Sequence, residues 1–313
     1  MAFVQKPQVY KSAINTVELG VGDNKITLGG ATVSPLYSFD APIANAPKVG
    51  VEITDLGLEG EPKGIVDYYG DCKTIGEQAK KAAAMPGADF VCLRFVGAEP
   101  GEGDRSVEEC VKIAKEVSEA IDIPLVIAGC KSSQKDAQIF EKIAEALSGK
   151  NVLFLSAKEE NYKTVGASVG LAYSQKVGAE SSVDINLAKQ LNVLLTQLGV
   201  AKENIIMNLG SAAAGYGFEY VASTIDRVKQ AALAQNDAML QMPVVTPIAS
   251  ETWVVKEALA SEEDMPEWGC QEQRGIEMEI VTAAACLACG SDAVILKHPA
   301  SVATISAMVA ALM

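Results

Sequence analysis

The sequence is short of the residues on which acid–base, metal and nucleic-acid chemistry usually rest. It holds a single histidine, and aromatic residues make up 5% of it. One imidazole with no second ligand at a fitting spacing argues against a histidine-based metal centre. Basic residues are outnumbered, 26 against 40 acidic, for a formal charge of −14 and a pI near 4.6. A surface of that sign repels nucleic acid and anionic membranes, so neither is expected as a partner. No run reaches 18 consecutive apolar residues, and the opening segment lacks a basic stretch followed by an apolar one; a cytoplasmic location is expected. The seven cysteines at 72, 92, 110, 130, 270, 286 and 289 are odd in number and scattered. They supply neither a disulfide framework nor the four clustered thiolates of an iron–sulfur centre. The dinucleotide fingerprint G-x-G-x-x-G is missing too, because Val49–Ile53 runs into Thr54-Asp55-Leu56-Gly57.

What is present is a regular alternation. With 49% hydrophobic residues the chain can fill a large core. Strand-like apolar runs fall at Val49–Ile53, Phe90–Phe95, Leu125–Ala128, Val152–Leu155, Ile205–Met207, Val244–Ile248 and Ala293–Leu296, and each is followed by a helical period. Gly178–Val183 occupies the place of an eighth. Ser106 with Glu109 forms a capping-box pattern, and Ser133 opens the next amphipathic stretch. Asp184 caps Ile185–Leu198 with Gly199 as its stop, and Pro299 begins the last helix. Eight βα units over about 250 residues predict a TIM (β/α)8 barrel, residues 49–313, with a doubly wound sheet as the less fitting arrangement. Ahead of it, residues 1–48 read as an extension built on a β-hairpin around Gly22-Asp23-Asn24 and acting as a lid on one end of the barrel.

In a barrel, function gathers at the C-terminal strand ends. Those ends offer Asp184, Asn186, Asn208, Thr246 and His298, a polar set poor in catalytic types. A carboxylate with amides presents donors and acceptors to a heteroaromatic ring or an amide-fringed cofactor without providing a strong base; the structural alternative is that Asp184 and Asn208 merely cap the segments C-terminal to them. His298 is a general base, a ligand or a hydrogen-bonded structural residue, and its isolation favours the last. Lys297 reads as a solvated cation, and Cys286-Leu-Ala-Cys289 as part of an apolar helix. The most distinctive stretch is Asn208-Leu-Gly-Ser-Ala-Ala-Ala-Gly-Tyr-Gly, where Gly215, Tyr216 and Gly217 end a loop of small residues suited to close approach by a large flat partner. A long segment carrying Trp253 and Trp268 separates the seventh strand from its helix and is expected to shape a site or a partner surface.

Several segments together resemble a known family: Lys11-Ser-Ala-Ile-Asn-Thr-Val-Glu-Leu-Gly, Ser182-Val-Asp-Ile-Asn-Leu-Ala-Lys-Gln-Leu-Asn, Gly215-Tyr-Gly-Phe-Glu-Tyr, Ala238-Met-Leu-Gln-Met-Pro-Val-Val, Trp268-Gly with Arg274-Gly-Ile, and Leu296-Lys-His-Pro. They are similar to the small subunit of the corrinoid iron–sulfur protein, the delta-type subunit of the acetyl-CoA decarbonylase/synthase system. The resemblance implies a barrel paired as a heterodimer with a larger subunit, which carries the [4Fe–4S] cluster and most contacts to the corrinoid. The corrinoid (cobamide) is then held against the mouth of this barrel, near Asp184, Asn186, Asn208, Gly215–Gly217, Thr246 and His298. The family's complex carries a methyl group from a methyltetrahydrofolate-type methyltransferase to acetyl-CoA synthase, both transient partners, and this chain is not expected to be catalytic. A pterin-dependent methyltransferase acting by itself, with Asp184, Asn186 and Asn208 gripping the ring, and a purely structural scaffold are the alternatives. Where the family has Asp-Pro-Ser-Ile-Gly-Gly before Gly-Tyr-Gly, this chain has Asn208-Leu-Gly-Ser-Ala-Ala-Ala, losing a carboxylate and a proline.

Overall fold

A computed structural model describes Val4 and residues 6–313. Eight parallel strands form a nearly closed barrel: β3 (Lys48–Thr54), β4 (Phe90–Arg94), β5 (Leu125–Ala128), β6 (Leu153–Ala157), β7 (Lys176–Glu180), β8 (Ile205–Asn208), β9 (Val245–Pro247) and β10 (Ala293–Leu296). Their ladder runs β8-β7-β6-β5-β4-β3-β10-β9, and a parallel bridge between Met207 and Val244 brings β8 to β9. The fifth barrel strand starts and stops earlier than its composition suggested. Lys176 leads it in and Glu180 ends it, because Ser182 and Val183 take left-handed φ values of 44° and 59° and turn the chain toward the next helix.

The helices are α1 (Lys63–Tyr69), α2 (Ile75–Ala83), α3 (Val107–Ala120), α4 (Ser133–Ala146), α5 (Tyr162–Val165, continued by a π-helical stretch Gly166–Ala172), α6 (Ile185–Leu198), α7 (Phe218–Leu233), α8 (Ala249–Thr252), α9 (Lys256–Leu259), α10 (Gln271–Cys289) and α11 (Pro299–Leu312). Several start for reasons written in the sequence. Ser106 and Glu109 make a complete capping box at α3, Asp184 accepts from two amides at the head of α6, and Gly199 closes α6 at φ 109°. Helix α4 begins with Ser132 as its cap residue, one position before the expected Ser133 and without a side-chain cap bond.

The core has two shells. Alternate strand residues such as Val51, Leu93, Ile127, Phe154 and Met207 face the helices. The other parity, Phe90, Cys92, Val126, Leu153, Leu155, Ile206, Val245 and Ile295, fills the lumen. Gly50 is what admits Phe90 there, since a Cβ on it would lie 2.2 Å from the Phe90 ring. A two-stranded ribbon, β1 (Val17–Leu19) and β2 (Ile26–Leu28), sends Val17, Leu19 and Leu28 into this inner shell. It is held by Gly20 N–H donating to the Asn151 carbonyl at 3.0 Å and by Asn15 N–H donating to that of Gln241 at 2.7 Å. Asn151 and Gln241 precede β6 and β9, so the hairpin plugs the N-terminal end of the barrel and leaves the other end open. Among the described residues no helix is long and apolar enough to cross a membrane.

Candidate functional site

Strand parity decides what reaches the open end. At the top of the inner shell the apolar filling stops and a polar layer begins, with Glu52 from β3, Arg94 from β4, Ser156 from β6, Glu180 from β7 and Asn208 from β8. A register shift between Phe154 and Ala157 lets Leu155 and Ser156 line the same space. Arg94, Ser156, Glu180 and Asn208, together with Lys131 and Lys158 from loops, Asp136 from α4 and Glu251 from α8, bound a cavity of about 190 Å³, with Glu52 behind Arg94.

Its electrostatics are mixed. Arg94 Nε donates to Glu52 at 2.9 Å, both side chains being nearly buried. Lys158 stands 3.5 Å from Glu180, and Lys131 stands 3.8 Å from Glu251. Asn208 donates to the Ser156 hydroxyl at 3.0 Å and to Glu180 at 3.3 Å, while its own oxygen accepts from Gly210 N–H. Burial raises the Glu251 carboxyl above its usual range, with Lys131 and Arg94 opposing; burial also raises that of Asp136, which accepts from the Cys130 amide and thiol.

The predicted site residues are not brought to one place. Asn208 lies in the lumen layer. Asp184 and Asn186 are exposed on the rim, and Asp184 Oδ1 is used on the amides of Asn186 and Leu187. Thr246 has the opposite parity to Val245, so it points away from the lumen and bonds Ser291 at 2.6 Å, fully buried. His298 is also buried. Its Nδ1 accepts from Ala300 N–H, its Nε2 lies 3.2 Å from Glu272, and its ring stacks on Trp253 at 5.7 Å. Burial lowers its pKa against the pull of Glu272, and accepting at Nδ1 leaves the neutral ring's proton on Nε2, toward Glu272. Beneath it Glu279, fully buried, takes the amides of Lys297 and His298; burial pushes its carboxyl up to about 7, with Ser301 and Trp253 close by but short of good hydrogen-bond geometry.

Gly215, Tyr216 and Gly217 stand at the rim. Both glycines are left-handed (φ 88° and 84°), and a Cβ on Gly215 would meet nothing within 4 Å. The loop is fastened by Ala214 N–H to the Thr282 hydroxyl and by the Tyr216 hydroxyl to Glu257 at 2.6 Å, which ties it to the segment after β9. Glu52, Arg94 and Glu180 are absent from the sequence-predicted set because they lie within the strands and not beyond them. The available signal was a charge interrupting a buried strand at lumen parity. Among the described residues no three His, Cys, Asp or Glu side chains are placed to hold a metal ion.

The fold is shared with dihydropteroate synthases. The enzyme from Vibrio fischeri superposes with a TM-score of 0.58 at 12% identity, covering 94% of this chain and 97% of that one. One from Yersinia pestis, solved with a pterin–sulfa conjugate, gives 0.57 at 12% identity, covering 91% and 98%. These likenesses define the class, a TIM barrel. Residues 16–304 match the family described as CO dehydrogenase/acetyl-CoA synthase delta subunit. Acetyl-CoA decarbonylase/synthase complex subunit delta of Methanothermobacter thermautotrophicus is 34% identical over 94% of this chain and 74% of its own length. Subunit delta 1 of Methanosarcina thermophila is 32% identical over 91% of this chain and 66% of its own. The chain belongs to the delta-subunit family, and it spans about two thirds of the length of curated relatives such as the latter.

Proposed function

We propose that this chain is the small subunit of a corrinoid methyl carrier, covering with its open barrel end a corrinoid held by a larger, cluster-bearing subunit. The supporting observation is the rim loop. From Ser211 to Gly217 only Tyr216 carries a side chain larger than a serine, the segment is fastened at Ala214 and Tyr216, and Gly215 faces open space. Such a surface fits a broad macrocycle with amide-bearing edges, because backbone amides and carbonyls stay within reach while few side chains obstruct it. Gly215, Tyr216 and Gly217 would lie against it.

The corrinoid, when bound, supplies the methyl-carrying chemistry between a methylated pterin and acetyl-CoA synthase. This chain's share is to exclude water and fix the macrocycle's position. The distribution of titratable groups agrees with a non-catalytic role: His298 is stacked, hydrogen-bonded and nearly enclosed, and Asp184 is spent on a helix cap. Reconstitution with the large subunit tests the proposal. Gly215→Trp and Gly217→Trp are expected to cut corrinoid retention and methyl-transfer rate at least tenfold, with Gly215→Asn, which tolerates the same φ, near wild type. Retention and rate unchanged in the Trp variants would overturn it.

A further inference from the structure

The outer half of the rim loop, from Ala213 to Gly217, is held by α10 and by the segment that separates β9 from α10. Ala213 belongs to a satellite apolar cluster with Ala249, Trp253, Val255 and Ala258, none of which joins the main core. Ala214 N–H donates to Thr282 of α10, and the Tyr216 hydroxyl donates to the Glu257 carboxylate of α9 at 2.6 Å. Helix α9 is a single turn, too short to persist by itself, and its last carbonyls have no helical partner. Side chains at the head of α10 supply one for each. Arg274 donates from Nε to the Glu257 carbonyl at 2.7 Å and from Nη2 to that of Ala260, while Gln271 Nε2 donates to those of Ala258 and Leu259, both at 3.0 Å. Arg274 Nη1 reaches the Gly269 carbonyl as well. Its guanidinium lies 5.8 Å from the Trp268 ring, which Lys256 of α9 also approaches, at 5.2 Å.

The guanidinium thus joins α9 to the turn before α10 through three donors in one plane, a geometry that lysine lacks. It also places a positive charge at the C-terminal end of α9, where the helix dipole favours one. Among the described residues its hydrogen bonds all go to carbonyls of this segment and none to a barrel strand. What Arg274 fixes is the place of Glu257, and Glu257 in turn fixes Tyr216. We infer that Arg274 is a positioning residue for the corrinoid-covering loop: acting through Glu257 and Tyr216, it sets where Gly215, Tyr216 and Gly217 stand at the open end of the barrel. Its use to the protein rests on the corrinoid reading; its hold on the loop does not.

Amide hydrogen exchange in the full chain reads the hold on the loop. Arg274→Gln is expected to speed exchange roughly tenfold or more in residues 253–260 and also in 211–217, with the barrel strands unchanged. Faster exchange confined to 253–260 would overturn the inference. Reconstitution with the large subunit reads the consequence. Arg274→Gln, Glu257→Ala and Tyr216→Phe should each lower corrinoid retention by about threefold or more, roughly the worth of one hydrogen bond. The Arg274→Gln/Tyr216→Phe pair should lose no more than Arg274→Gln alone, because both act on one contact. Losses that multiply in the pair, or wild-type retention in Glu257→Ala, would overturn the positioning role. Glu257→Ala keeps the backbone carbonyl that Arg274 uses, so it decides the matter if the Arg274 variant melts early. Gly215→Trp judges the corrinoid reading separately: if that variant retains corrinoid the reading fails, while loop exchange still decides whether Arg274 holds the loop.

Discussion

At the scale of single residues, burial decides which titratable groups matter. Glu279 has no exposed surface, and its carboxyl is pushed up to about 7, mainly by burial. The sign comes from linkage: between the ordinary carboxylate pKa and about 7 the folded chain holds a proton that the unfolded chain has released, so stability falls as pH rises through that window. The net cost of the charged form, with the favourable Lys297 and His298 amides already included, is on the order of 3 kcal/mol. Glu279→Gln is expected to remove this slope. Urea midpoints measured from pH 4.5 to 7.5 check it, and a wild-type profile parallel to that of the variant would refute it. His298, lowered by burial, works in the opposite sense, losing stability as pH falls through its depressed pKa.

At the scale of elements, one carboxylate distinguishes capping from ligand binding. Asp184 was readable both as a helix cap and as a ligand contact; in the fold its Oδ1 lies 2.7 Å from Asn186 N and 3.1 Å from Leu187 N. Asp184→Ala is therefore expected to cost about 1 kcal/mol of stability while leaving corrinoid retention within twofold of wild type, as checked by denaturation and by reconstitution with the large subunit. A larger loss of retention would assign Asp184 to a ligand. The segment between β9 and α10 packs Trp253 against His298 and ties Glu257 to Tyr216, so it is joined both to the buried His298 and to the rim loop.

At the scale of the whole molecule, the barrel is asymmetric: its N-terminal end is plugged by the hairpin and its C-terminal end carries the polar layer. Leu19 is fully buried in the inner shell, so Leu19→Ala should cost about 2–5 kcal/mol. A lower denaturation midpoint with an unchanged slope is the expected readout, and a midpoint equal to wild type would show that the ribbon is not part of the core. The eight-fold βα rhythm, the helix caps at Ser106 and Asp184, the turn at Gly22–Asn24 and the small-residue loop were all legible in the chain, because periodicity, capping and glycine content act over a few neighbouring residues. Which strand residues share the lumen was not. Glu52, Arg94, Glu180 and Asn208 come from four strands, and Thr246 parts from them through one step of parity. Local sequence determined that strands would form and where helices would begin; only barrel closure decided which charges would face one another, because burial and pairing are set by distances between segments far apart in the chain.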